Sequence, residues 1–210
     1  MNAVRVNKLG NMDQLLEGIK KIEHGFKHIV EAGGLILKDK SYNPFDLAVS
    51  FSTDEYYQVR MLATYLFGQL SADDPRALEM LETRIAHDTN WRVQEMLAKA
   101  FDHYCQIIGY EKSLPTIQKW LSDKNANIRR AVIEGLRIWT SRPYFKDNPT
   151  LAIQLISLHK SDDSEYLRKS VGNALRDISK HHPEKVLAET STWDLTDKKT
   201  TFTYKLTKTK

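Results

Sequence analysis

The chain is poor in cysteine. Cys105 is its only one among 210 residues, so no disulfide closes within it and a zinc cluster built on several thiolates is excluded. It has no apolar run long enough to cross a bilayer and no charged-then-apolar leader pattern, so the expected location is the cytoplasm, with no membrane partner. Strand signals are scarce too: no β–α–β alternation occurs, and only "TFTYKL" near the end alternates as a strand would, inside an otherwise polar tail. Neither a phosphate-cradling glycine loop nor a nucleophile elbow is present. The charge is nearly balanced, 31 Lys and Arg against 27 Asp and Glu, and the excess of +4 matches the Lys-rich final stretch "DKKTTFTYKLTKTK". That stretch is either a solvated tail or an arm that touches a polyanion.

Proline is also rare, and its placement is informative. Five of the six prolines, Pro44, Pro75, Pro115, Pro149 and Pro183, stand where a helix can start, the one place where their missing N–H costs nothing. After each of the first four comes a polar break and then a longer amphipathic segment. These second segments read "VRMLATYLFGQL" from Val59, "VQEMLAKAFDHY" from Val93, "IRRAVIEGLRIW" from Ile128 and "LRKSVGNALRDI" from Leu167, spaced by 34, 35 and 39 residues. Counting the first residue of each as offset 0, offsets 0, 4 and 8 are apolar in all of them, which draws a helical stripe. Paired helices at this period predict an all-α fold, an α-solenoid (superhelix) of HEAT-like repeats. The expected layout is a single domain over 1–210. It has an N-terminal helical cap over 1–43, repeats over 44–192 and a basic C-terminal tail over 193–210, with Gly33 and Gly34 ending the cap helix.

The stripe leaves offsets 1, 2, 5, 6, 9 and 10 facing away from the core. There the second segments carry Arg60, Lys99, Arg129, Arg130, Arg137, Arg168, Lys169 and Arg176, a basic face suited to a phosphate backbone or, equally, an ordinary solvated helix face. Three acids interrupt it: Glu95 at offset 2, Glu134 at offset 6 and Asp177 at offset 10, each one helical turn further along in the next repeat. They form either structural ion pairs with the arginines or an acidic pocket inside a basic groove, which would suit chemistry on a cationic group carried by a polyanion. Trp91 and Trp139 flank these acids, as packing residues or as an aromatic wall.

"NIRRAVIEG" and "SEYLRKSVGNALRDISKHHPE" resemble the bacterial DNA alkylation repair glycosylases of the AlkC/AlkD superfamily, over about residues 44–190. The resemblance implies a HEAT-like solenoid that holds double-stranded DNA, alkylated or branched, in a concave cleft and cleaves the N-glycosidic bond of cationic N-alkylated bases. Carried over residue by residue, it implies Glu95, Glu134 and Asp177 as catalytic acids and Trp139 as an aromatic neighbour, with a basic position kept as Arg129 or Arg130. In AlkD-type relatives the acid stands beside paired tryptophans. This chain has a single Trp91 there and Asn173 where a later tryptophan would fall, so the AlkD-type clamp is incomplete. A cationic base leaves as a neutral one, so the chemistry needs negative charge near the sugar and no metal or cofactor.

Other clusters carry less. His181 and His182 are adjacent and diverge, with His159 on the preceding helix, and a metal site is not expected. Cys105 has His103 nearby but no orienting group, so it reads as a packed thiol. Two readings compete with the glycosylase: a non-catalytic HEAT-repeat protein that binds branched or damaged DNA, and a helical-repeat scaffold for a protein partner.

Overall fold

The computed structural model describes residues 12–208. The chain folds into two compact units, one through Ala100 and one from Phe101 onward. In the first unit, helix α1 covers 12–20, followed by α2 (Lys27–Lys38), α3 (Pro44–Phe51), α4 (Tyr57–Leu70), α5 (Pro75–Thr83) and a 3₁₀ turn, Ile85–His87. Helix α6 (Trp91–Ile108) begins in the first unit and ends in the second. The second unit continues with α7 (Leu114–Leu121), α8 (Ala126–Gly135), a 3₁₀ turn at Trp139–Ser141, α9 (Pro143–Asp147), α10 (Pro149–Ser157), α11 (Glu165–Ser179), α12 (Pro183–Thr190) and α13 (Lys198–Thr207). No strand occurs among the described residues, and the fold is of the all-α helical-repeat class.

Local chemistry explains the starts. All six prolines, Pro143 included, lie in the first turn of a helix. Side-chain oxygens of Asn43, Asp74, Asn125, Ser164 and Asp197 cap α3, α5, α8, α11 and α13. The periodic stripe is the core: Val59, Ala63, Phe67, Val93, Leu97, Phe101, Ile128, Val132, Leu136, Leu167, Val171 and Leu175 are all buried. Each large member contributes roughly 1.5–3 kcal/mol by leaving water.

A turn repeats before each second helix. Asp54, Asp88, Asp123 and Asp162 each accept the backbone N–H two residues on, at 2.8, 2.8, 2.7 and 2.8 Å. This Asx turn aims the chain into α4, α6, α8 and α11.

The structure departs from the sequence reading in four places. Helix α2 runs through Gly33 and Gly34 instead of stopping there: neither adopts the positive φ of a helix stop, and Gly33 serves close packing, since a Cβ there would sit 2.3 Å from the Tyr65 ring. The third second segment does not continue to Trp139. Helix α8 stops at Gly135, whose carbonyl accepts a hydrogen bond from Arg142. Pro143 is a sixth helix start. Finally, "TFTYKL" is helical, and the stretch expected as a tail is α13, packed on α11. Thr200, Thr203 and Thr207 are its buried residues, and Leu206 lies over Gly172, where an added Cβ would be 2.5 Å from the Leu206 Cβ. Small side chains and tertiary packing here override strand propensity. Of the predicted cap over 1–43, residues 1–11 lie outside the described residues.

Candidate nucleic-acid interface

A side chain in the first turns of a helix leans toward the helix's amino end. That rule decides the fate of the offset-1 arginines. Arg60 donates to the carbonyls of Asp54 and Glu55 (2.9 Å each), Arg129 to those of Asp123 and Lys124 (2.6 and 3.0 Å), and Arg168 to those of Asp162 and Asp163 (2.5 and 3.0 Å). In α6 the same place is held by Gln94, whose amide reaches the Asp88 carbonyl at 2.7 Å. Arg60 and Arg129 also pair with the turn aspartate of the following repeat, Asp88 at 2.5 Å and Asp162 at 2.8 Å. Arg60, Arg129 and Arg168 therefore do not face outward as the offset rule predicts. Their guanidiniums clamp the turns that precede α4, α8 and α11 and are mostly buried. Charge-assisted bonds of this kind are worth about 1.5–3 kcal/mol each. The signal was present in the sequence as an Asp six residues ahead of an Arg or Gln in all four second segments: Asp54 and Arg60, Asp88 and Gln94, Asp123 and Arg129, Asp162 and Arg168.

In the second unit, Glu134 of α8 and Asp177 of α11 come together on Arg137, at 3.6 and 2.9 Å. Glu134 also accepts from the Ser170 hydroxyl at 2.6 Å, and Asp177 from Lys180 at 2.9 Å. Asp177 is buried instead of lining an open face. Burial pushes its carboxyl up, but hydrogen bonds from Lys180 and Arg137 outweigh that and hold it below the usual carboxylate range. Arg130 and Arg176, half-buried, have no ion-pair partner among the described residues, while exposed Lys169 pairs with Glu165 at 2.7 Å.

Trp139 needs a correction. It is 0% exposed, packs on Phe145 at 4.8 Å between ring centroids, and donates its indole N–H to the Ile133 carbonyl at 3.4 Å. The break after Gly135 turns it into the core, where no base reaches it. Cys105 is buried and its thiol is pushed up to about 12 by desolvation, which leaves it inert at neutral pH.

In the first unit, Trp91 is 56% exposed at the start of α6, and Glu95 stands one turn further along the same face. Glu95 has neither a hydrogen bond nor an ion pair among the described residues, unlike Glu134 and Asp177. Lys99 is exposed, its ammonium 4.9 Å from the centre of the Phe26 ring. Arg92, which the offset pattern passed over, stacks on Trp91 at 4.3 Å and faces Tyr57 at 5.1 Å. Each unit thus carries its own charged cluster.

Residues 35–198 match the family model described as DNA alkylation repair enzyme. The chain belongs to that family. AlkD2 from Streptococcus mutans is similar over almost the whole length: 48% identity, a TM-score of 0.89, and coverage of 94% of this chain and 96% of that one. The AlkC alkylpurine DNA glycosylase of Pseudomonas fluorescens, solved bound to DNA containing an abasic site analogue, shares the fold at 22% identity and a TM-score of 0.59. That match covers 86% of this chain and 51% of the AlkC chain. An uncharacterised Bacillus subtilis protein, YhaZ, is 34% identical over 91 residues, which are 41% of this chain and 26% of YhaZ. The resemblance to the AlkC/AlkD superfamily is thereby shown. Among the described residues no helix is long and apolar enough to cross a membrane.

Proposed function

We propose that this member of the DNA alkylation repair family binds double-stranded DNA and releases cationic N-alkylated bases, with Glu95 as the acid at the reacting centre. The observation that carries this is the contrast in neutralisation. Of the three acids only Glu95 has neither an ion pair nor a hydrogen bond among the described residues, and it lies one turn from exposed Trp91. An alkylated purine departs as a neutral base. The transition state places positive charge on the deoxyribose, and a free carboxylate stabilises that charge or orients the attacking water. A carboxylate already shared with Arg137 and Lys180 supplies much less field. Arg130, Arg176, Lys99 and Lys169 serve as phosphate contacts, Arg137 holds Glu134 and Asp177, and Arg60, Arg129 and Arg168 shape the turns from which the second helices start.

A second reading, binding of damaged or branched DNA without cleavage, is favoured by the neutralised pair Glu134 and Asp177 and by the buried Trp139. The experiment is release of labelled 3-methyladenine and 7-methylguanine from methylated DNA by wild type, Glu95→Gln and Glu134→Gln. Release that collapses in Glu95→Gln and survives in Glu134→Gln supports the first reading. No release from wild type, with binding that falls steeply with salt, selects the second. Binding that is absent or insensitive to salt defeats both and leaves the protein-partner scaffold.

A further inference from the structure

The connection between α1 and α2 is tied to the amino end of α4. The Tyr57 hydroxyl donates to the Glu23 carbonyl at 2.9 Å, and the Gln58 amide donates to the carbonyls of Lys20 and Ile22 at 2.9 and 3.4 Å. This fixes the Tyr57 ring. Arg92 lies within stacking distance of two rings, 4.3 Å from Trp91 and 5.1 Å from Tyr57, and its Nη2 is 3.4 Å from Nδ1 of His24. A guanidinium only donates, so in this contact the histidine nitrogen is the acceptor. In the same unit, Lys20 sits 4.5 Å over Tyr56, and Lys99 stands over Phe26. Tyr56 and Trp91 remain 43% and 56% exposed.

Lys20 is paired with Glu17 at 2.9 Å, and Arg92 differs both from it and from the ion-paired arginines. Arg60, Arg129, Arg137 and Arg142 each have a carboxylate within 4.0 Å, at Asp88, Asp162, Asp177 and Asp102. Arg92 has none among the described residues. Stacking limits its rotamers without cancelling its charge, which leaves a pre-organised cation with free N–H donors beside an aromatic face that is still open. Such a cluster is also a poor cage for a second cation, because the indole already carries a guanidinium.

We infer that Arg92, set between Trp91 and Tyr57, is a ligand for a DNA backbone phosphate that passes the open side of Trp91. This rests on the DNA-binding reading above. It assigns the cluster to the anionic backbone and not to the cationic lesion.

The test uses the full chain and an undamaged duplex oligonucleotide, with affinity measured across a salt series for wild type, Arg92→Gln and Arg92→Lys. Loss of one phosphate contact lowers the slope of log K against log salt by about one unit and weakens binding about 3–10-fold near physiological salt. Arg92→Gln should show both effects, while Arg92→Lys should keep the slope and lose part of the affinity. The other tryptophans are buried, so quenching of red-edge tryptophan emission by DNA reports Trp91 and should vanish in Trp91→Phe. A thermal melt confirms that each variant is folded. If wild type shows a steep slope and Arg92→Gln shares it at unchanged affinity, the assignment of Arg92 is wrong and the DNA-binding reading stands. Wild type that does not bind, or binds without salt dependence, overturns both. Arg92→Gln that binds a 7-methylguanine duplex better than an undamaged one, with an unchanged slope, means that Arg92 repels cationic bases instead of holding phosphate.

Discussion

The two units use the same turn and treat charge differently. In both, an aspartate opens the Asx turn and an arginine in the next helix closes it, as with Asp54 and Arg60 in the first unit and Asp123 and Arg129 in the second. Beyond that clamp they part. The first unit leaves Glu95 unpaired and stacks Arg92 and Lys99, which have no ion pair among the described residues, on aromatic rings. The second ties Glu134 and Asp177 to Arg137, Lys180 and Ser170. Acids that look equivalent by helical offset are therefore unpaired in one unit and a bracing network in the other. Offset along a helix fixes the face a residue occupies, and the neighbouring helix fixes what it meets.

The largest expected effect tests the shared clamp. Arg60→Ala and Arg129→Ala each remove one side of a largely buried ion pair and should lower unfolding free energy by about 3–5 kcal/mol, because the remaining aspartate is left uncompensated. Arg130→Ala, next to Arg129 on the same helix, should stay within about 0.5 kcal/mol. Urea denaturation of the three variants measures this. A mild Arg129→Ala would mean that the turn holds without its arginine, and unequal losses at Arg60 and Arg129 would mean that the units do not share the clamp after all.

Next comes the contrast between the acids. Glu95→Gln should leave stability unchanged and cut base release about 10²-fold or more, the usual scale for losing a group that stabilises a developing charge. Asp177→Asn should do the reverse, costing about 1.5–3 kcal/mol of stability through weakened charge-assisted bonds. Parallel behaviour of the two variants in both assays would erase the distinction between the units. Gly172→Ala should cost about 1–3 kcal/mol, since its new methyl group meets Leu206 and the Thr203 carbonyl. A variant as stable as wild type would show that α13 yields easily.

The smallest effect concerns pH. The folded carboxyl of Asp177 lies below its ordinary value, so its contribution is fully present above the unfolded value near about 4 and is lost as pH falls through the folded one. Denaturation of wild type and Asp177→Asn across this range should therefore show the gap between them closing toward low pH. A gap that is constant with pH would mean that the pairing with Arg137 and Lys180 contributes nothing.

By itself the sequence determined the helices and the core. A stripe at offsets 0, 4 and 8, prolines at helix starts and a period of 34 to 39 residues are local or periodic signals, and the twelve stripe residues are all buried. Strand-like "TFTYKL" misled because alternation over so few residues is weaker than a good cap and a partner helix. Asp197 caps α13, and Gly172 lets it settle on α11. The candidate site was legible only in residue type. Tertiary structure decided that Arg60, Arg129 and Arg168 turn to their own loops, that Trp139 is core, that Glu134 and Asp177 share Arg137, and that Arg92 rests on rings from two helices. The reason is physical: burial follows a periodicity written in one segment, whereas a charge takes its character from whichever opposite charge, ring or carbonyl another segment brings within a few ångströms.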